Sequence, residues 1–337
     1  MSSMNRIPFA EVQQQLAAVL RKLGFSEPRA DMCARLFTET TCDGVYTHGV
    51  NRFPRFVLMI RNGVVNPDAE PELKAHFGAL ERWEGHRGPG NLNAYAMMDR
   101  TLALSREHGI GCVTLGNTNH WMRAGTYGWQ AANAGFIGIC WTNTLPNMPA
   151  WGGVDPCVGN NPIVIAVPRE KGPVVLDMAA SQFSYGAIES YKLRGEQLPV
   201  DGGFDVDGNL TRDPEAIEIS QRPLAIGYWK GTGLSMVLDM VAAMTSLGKA
   251  THQLSLDFLQ ESGISQVFMA INPLAFGPDP RPEQLADDIV ESLHRSRPAK
   301  ENAKIRYPGE KTLRIRQENL ELGIPVEPAV WAQILEM

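Results

Sequence analysis

Ile163-Val164-Ile165-Ala166-Val167-Pro168-Arg169-Glu170-Lys171-Gly172-Pro173-Val174-Val175-Leu176-Asp177-Met178 decides the fold class. Two short apolar runs, rich in β-branched residues, flank a charged connection bounded by prolines. β-Branched side chains lose freedom in a helix and pack well on a pleated surface, so both runs read as buried strands. Working outward, residues 111–115, 136–141 and 264–271 have the same character. Helical patterns lie between and beyond them, near 93–108, 124–133, 185–194, 231–247 and 282–294. Strands alternating with helices are the signature of an α/β fold.

Before about residue 79 the pattern is helical instead. Residues 9–23 and 27–43 read as amphipathic helices, the second with Ser26 as N-cap, Pro28 in its first turn and Gly44 as its stop. Cys33, Leu36 and Phe37 supply part of its apolar stripe. A third helix is expected from about His48 to Asn62, ended by Gly63, with Pro54 near its start. Shorter helices over 310–322 and 328–335 close the chain, and 199–210 is a Gly- and Asp-rich loop. The chain has 337 residues, and the length prior suggests two domains. Residues 1–75, joined by C-terminal helices in 281–337, form the expected helical part, and 76–280 the α/β part.

A net charge of −6 with dispersed Lys and Arg argues against a nucleic-acid surface, whose footprint is a basic patch. The cysteines, Cys33, Cys42, Cys112, Cys140 and Cys157, are odd in number and lack CxxC spacing. They suggest neither a disulfide frame nor a zinc site, and they suit reduced thiols in a cytoplasmic protein. No secretory signal is evident, and no stretch approaches the roughly 20 apolar residues needed to cross a bilayer. The remaining histidines, His76, His86, His108, His252 and His294, have no companions at metal-ligand spacing, so no metal site is expected.

Four places carry candidate chemistry. In Tyr46-Thr47-His48-Gly49-Val50-Asn51-Arg52 an imidazole and a guanidinium stand four residues apart. On a helix they would share a face, so His48 could hand a proton to a substrate whose carboxylate Arg52 holds. By itself such a pair is more often a solvated helix face. His120, in Asn119-His120-Trp121-Met122-Arg123, follows a strand and could bind or protonate a substrate oxygen; the competing reading is a loop histidine satisfied by backbone. Asp177 closes an apolar run and needs a partner, whether to orient an imidazole, hold a ribose hydroxyl, cap a helix or form an ion pair. Trp229-Lys230-Gly231-Thr232-Gly233 precedes an apolar helix whose free N–H groups suit an anion, or is simply a turn that lets the helix pack closely. Neither a Walker nor a Gly-x-Gly-x-x-Gly pattern is present.

These pieces occur in a recognisable order together with Gln197-Leu198-Pro199-Val200-Asp201-Gly202-Gly203-Phe204-Asp205 and Gly227-Tyr228-Trp229-Lys230-Gly231. The chain resembles the type-2 malate/L-lactate dehydrogenase family over nearly its whole length. The resemblance implies an α/β, α+β-like fold: a non-Rossmann, mixed but mainly antiparallel sheet flanked by helices, with a helical N-terminal part. It implies a nicotinamide-dependent oxidoreductase, with the 76–280 part binding cofactor and the helical part serving substrate and dimerisation. His48 matches the family's proton donor, with His120 as the alternative acid. Arg52 and His120 match positions facing substrate, and Asp177 completes the catalytic set. Pro173, Val174, Val175, Leu176, Asp177, Met178 and Ala179, then Trp229 and Lys230, then Gly309, Glu310 and Lys311, match the stretches that touch the dinucleotide. NADH is the preferred cofactor, with NADPH as the alternative, and a homodimer is implied. The implied substrate is a 2-keto acid, with 2,3-diketo-L-gulonate preferred because the likeness extends to Trp121, Met122 and Trp129. Malate, lactate, sulfolactate, ureidoglycolate and cyclic imino acids are rivals within the family. A catalytically silent ligand-binding scaffold is the rival outside it.

Overall fold

A computed structural model of the protein describes residues 5–301 and 303–337. Its centre is a seven-stranded sheet built, in chain order, from β1 (Glu72–Phe77), β2 (Leu80–Glu84), β3 (Ile110–Asn119), β4 (Ile137–Thr142), β5 (Ile163–Val167), β6 (Val174–Met178) and β7 (Ser262–Ile271). Across the sheet they lie in the order β1-β2-β3-β7-β4-β5-β6. Only β2 and β3 pair in parallel; the other neighbours are antiparallel. A Rossmann cofactor crevice needs a parallel sheet that reverses its strand order, and this topology offers none. That accounts for the missing glycine fingerprint.

The helices are α1 (Phe9–Lys22), α2 (Glu27–Cys42), α3 (Phe53–Arg61), α4 (Gly90–His108), α5 (Gly125–Asn133), α6 (Tyr185–Leu193), α7 (Pro214–Ser220), α8 (Trp229–Ser246), α9 (Arg281–His294), α10 (Glu310–Leu322) and α11 (Pro328–Leu335). Successive strand residues point to opposite faces, and the burial follows that period. Val113, Leu115, Cys140, Val164, Ala166, Phe268 and Ala270 pack under α4 and α5 against Met97, Met98 and Tyr127. Their neighbours Cys112, Ile139, Trp141, Ile163, Val267 and Met269 pack on the opposite face against Leu234, Leu238 and Ala242 of α8. Each large side chain fully buried here stabilises the fold by about 1.5–3 kcal/mol. A separate cluster joins α1, α2 and α3 to the chain's end, with Leu16, Leu20, Phe37, Phe53, Phe56, Ile324 and Ile334 buried together. The short strand Asn5–Ile7 pairs antiparallel with Ile324–Val326, so the first and last segments close on each other.

Several sequence expectations need correction. The stretch from His48 is not one helix: two 3₁₀ turns, Tyr46–His48 and Val50–Arg52, precede α3. Ser26 occupies its N-cap position with an extended backbone, yet its side chain makes no capping hydrogen bond. Trp229 and Lys230 lie inside the first turn of α8 rather than before it. The hairpin of β1 and β2 was not anticipated, because every β1 residue is exposed and no apolar alternation marks it. The loop over 199–210 contains a minimal pairing of Gly203–Phe204 with Leu210–Thr211.

Candidate active site

His48 and Arg52 are brought together by a glycine, not by a helix face. Between their two turns Gly49 has φ −98° and ψ −133°, which breaks helical geometry. A Cβ at Gly49 would collide with Thr41 Oγ1, the hydroxyl that accepts from the Val50 N–H at 2.7 Å. Only glycine lets the chain lie this close to α2. His48 Nδ1 lies 2.9 Å from Thr47 Oγ1. Its ring stacks on that of His120, with centroids 5.7 Å apart and planes 21° apart. The two histidines, 72 positions apart in the chain (120 − 48), form one site.

His120 directly follows β3, whose last residue, Asn119, is fixed by donating to the carbonyls of Arg87 at 2.6 Å and Gly88 at 3.0 Å. The Met122 backbone N–H donates to His120 Nδ1 at 3.0 Å. Met122 reaches this position with φ 65°, an uncommon conformation for a non-glycine residue and a form of strain found at functional sites. Because Nδ1 accepts, the ring proton of His120 sits on Nε2, and the neutral ring is a hydrogen-bond donor at that atom.

Burial, with the charges around the pair, keeps both imidazoles neutral in the free protein. Burial, then the positive charges of Arg52 and Arg123, lower the His48 pKa to about 4. Burial, with Arg52, His48 and Arg55, lowers that of His120 well below its ordinary value. Burial lowers Arg52 to about 10, opposed by Glu261 and reinforced by Arg55, so its guanidinium stays charged at neutral pH. Glu261, buried just before β7, lies 3.5 Å from Arg52 Nη2 and 3.7 Å from Arg55 Nη2.

A second ionic cluster ties the site's segments together. Asp43, at the end of α2, accepts from Arg123 Nη1 and from Arg316 of α10 at 2.6 and 2.7 Å. Arg123 Nε is 3.9 Å from Asp177 Oδ2, which accepts from the Gly125 N–H at 2.9 Å. Asp177 is an exposed residue, and the packing around its carboxyl raises it above its ordinary value, with Arg123 and the Gly125 N–H opposing. The end of α2, the His120 loop, β6 and α10 thus meet at two carboxylates and two guanidiniums. Asp43, Glu261 and Arg316 carry no local sequence signal, since their partners lie far away in the chain.

The three expected cofactor stretches line one edge of this arrangement. β6 is the outermost strand of the sheet. On its free side the Val175 N–H donates to the Pro308 carbonyl at 2.8 Å, which places Pro308-Gly309-Glu310-Lys311 beside the strand. By strand alternation Asp177 also turns its backbone groups outward. Beyond β6, the Ile226 N–H donates to the Ala180 carbonyl at 2.8 Å, and a Cβ at Gly231 would lie 2.9 Å from that oxygen. The start of α8 is therefore pressed against the end of the 173–179 stretch. Tyr228 precedes it with φ 62° and ψ −117°, and Trp229, 65% exposed, stands beside an exposed Lys230. A strand edge only partly covered by Pro308, two helix N-termini, an open indole and a lysine suit an extended, anionic dinucleotide.

Residues 7–335 match the malate/L-lactate dehydrogenase family. The chain belongs to that family. The 2,3-diketo-L-gulonate reductase of Citrobacter koseri is 45% identical over 330 residues, covering 98% of this chain and 99% of the relative. The Escherichia coli protein of the same name is 45% identical over 329 residues, with the same coverage of 98% and 99%. Sulfolactate dehydrogenase from Methanocaldococcus jannaschii superposes with a TM-score of 0.91 at 27% identity, covering 98% of this chain and 96% of that one. Membership of the malate/L-lactate dehydrogenase family makes the protein an oxidoreductase with a nicotinamide cofactor. Among the described residues no helix is long and apolar enough to cross a membrane.

Proposed function

We propose that the protein reduces a 2-keto acid to a 2-hydroxy acid with NADH, and that 2,3-diketo-L-gulonate, giving 3-dehydro-L-gulonate, is its preferred substrate. The observation that carries this reading is the His48–His120 stack beside a charged Arg52. Arg52 pairs with the substrate carboxylate. His120, its proton held on Nε2, donates a hydrogen bond to a substrate oxygen. His48 takes up a proton from solvent when the keto acid binds and, as an imidazolium, gives it to the carbonyl oxygen as that atom becomes an alkoxide. When bound, the reduced nicotinamide supplies the hydride. A carboxylate on Arg52 offsets one of the charges that depress His48, so its proton affinity rises when the keto acid arrives.

The stretches at 173–179, 229–230 and 309–311 are the proposed dinucleotide contacts, and Asp177 links them through Arg123 to the Asp43 end of the His48 segment. NADH rather than NADPH is supported by Glu310, whose carboxylate accepts from the Tyr307 N–H at 3.1 Å and lies 3.2 Å from His294 Nε2. A fixed carboxylate suits a ribose hydroxyl and opposes a 2′-phosphate. In this reading residues 76–280 seat most of the cofactor, completed by 309–311, while 1–75 and the C-terminal helices in 281–337 serve substrate and dimer contacts. A homodimer is further supported, within the 76–280 part, by the outer face of α8, where Met236, Val237, Met240, Val241 and Met244 are exposed together. Five unpaired cysteines suit a reducing, cytoplasmic setting.

The deciding experiment follows absorbance at the nicotinamide band across a panel of 2-keto acids, with NADH and NADPH in parallel. NADH oxidation that requires a keto acid and is fastest with 2,3-diketo-L-gulonate is the expected result. Dinucleotide binding with no turnover across the panel would overturn the reading.

A further inference from the structure

Two cations and one anion sit where a substrate carboxylate is expected. Arg52 ends the second 3₁₀ turn, Arg55 lies in the first turn of α3, and Glu261 comes from the segment entering β7, 209 positions along the chain from Arg52. One carboxylate oxygen, Oε2 of Glu261, faces an Nη2 of both arginines. The Glu261 side chain is only 4% exposed, so its charge has little water to dissipate into. The same Nη2 of Arg55 also donates to the Phe258 carbonyl, and the guanidinium lies 5.3 Å over the Phe258 ring. Its Nε is buried without a partner. The neighbouring imidazoles are neutral in the free protein, so the local sum is two positive charges less one, a single net positive charge.

We propose that Glu261 sets the charge class of the substrate by trimming this cradle to one net positive charge, which matches a keto acid with a single carboxylate and disfavours one with a second anionic group. The inference rests on the keto-acid reading of the site and sharpens it. With both imidazoles neutral, as in the free protein, a monoanion neutralises the cradle; the proton that His48 takes up for the reaction leaves with the product alkoxide. A dianion leaves an uncompensated charge near a buried carboxylate, in a setting where unit charges a few ångströms apart interact far more strongly than in water. A sugar acid satisfies this rule because its further polar groups are uncharged hydroxyls.

The test compares kcat/KM for pyruvate and for oxaloacetate with NADH, together with calorimetric binding of both acids to the cofactor-free protein. Wild type favours the monoanion in both measurements. Glu261→Gln keeps the shape, raises the cradle to two positive charges and moves the ratio toward oxaloacetate by about tenfold or more. Arg55→Gln makes the cradle neutral and moves it the opposite way, an opposition that a general loosening of the site does not produce. It also supplies the answer if the first variant fails to fold. Ratios unchanged within twofold in the variants would overturn the proposal. Absence of turnover in wild type with every keto acid would instead remove the reductase reading, and the calorimetric ratios would still decide the role of Glu261.

Discussion

Replacing His48 by glutamine removes a titration that the fold suppresses. In the folded protein, burial and the charges of Arg52 and Arg123 hold the imidazole at about 4, against 6.5 for an unperturbed ring. Between those values the unfolded chain binds a proton that the folded one does not, so stability rises with pH there. The full stability is present above about pH 6.5 and is lost as pH falls toward about 4. Over that whole range the gap corresponds to about 3 kcal/mol, of which about 2 kcal/mol is lost between pH 7 and about pH 4.5. Urea unfolding of wild type and His48→Gln at those two pH values isolates the effect, since the other titrating groups remain in both proteins. Wild type is expected to lose about 2 kcal/mol more than the variant, with equal m-values. Equal losses would show that His48 is not held neutral against its cationic neighbours.

Three further outcomes follow from the same geometry. Asp43→Asn leaves Arg123 buried with only a distant carboxylate, and thermal or urea unfolding should show a loss of about 3 kcal/mol, softened because Arg316 is partly open to water; a loss below about 1 kcal/mol would deny the cluster its structural role. His120→Gln keeps a donor near the substrate, so turnover should fall modestly, by about tenfold, while the pH-dependent limb of the reduction stays in place; loss of that limb would move the acid role to His120. Lys230→Gln should raise the NADH dissociation constant by about fivefold at low salt and flatten its salt dependence, read by quenching of Trp229 fluorescence; unchanged affinity and salt response would detach the start of α8 from the cofactor.

The sheet was legible because its strands advertise themselves. Ile163–Val167 and Val174–Met178 fall where their β-branched runs place them, and Glu310–Leu322 and Pro328–Leu335 have the expected ends. Strand order was not legible from composition. β7 enters between β3 and β4 from more than a hundred residues downstream, and nothing local to it announces that pairing. The antiparallel character came from family resemblance alone. His48, Arg52 and His120 could be singled out in the sequence as candidates, but the reason for their convergence could not. A shared helix face was expected, whereas a glycine packed on Thr41 turns the chain between them. The demand of Asp177 for a partner was readable, and its partners, the Gly125 N–H and Arg123, were not. Asp43 and Glu261 look like ordinary surface acids in the sequence. Their burial depends on arginines 273 and 209 positions away, and hydrophobic periodicity carries no information about such pairs.

The most direct test of the central claim, that His48 is the acid serving a ketone beside a separately seated dinucleotide, is His48→Ala measured in two ways at once. Steady-state reduction of 2,3-diketo-L-gulonate should fall by about 10²- to 10⁴-fold in kcat, while the NADH dissociation constant from Trp229 quenching stays within about twofold of wild type. An unchanged kcat, or a loss of turnover that tracks an equal loss of NADH binding, would contradict the account.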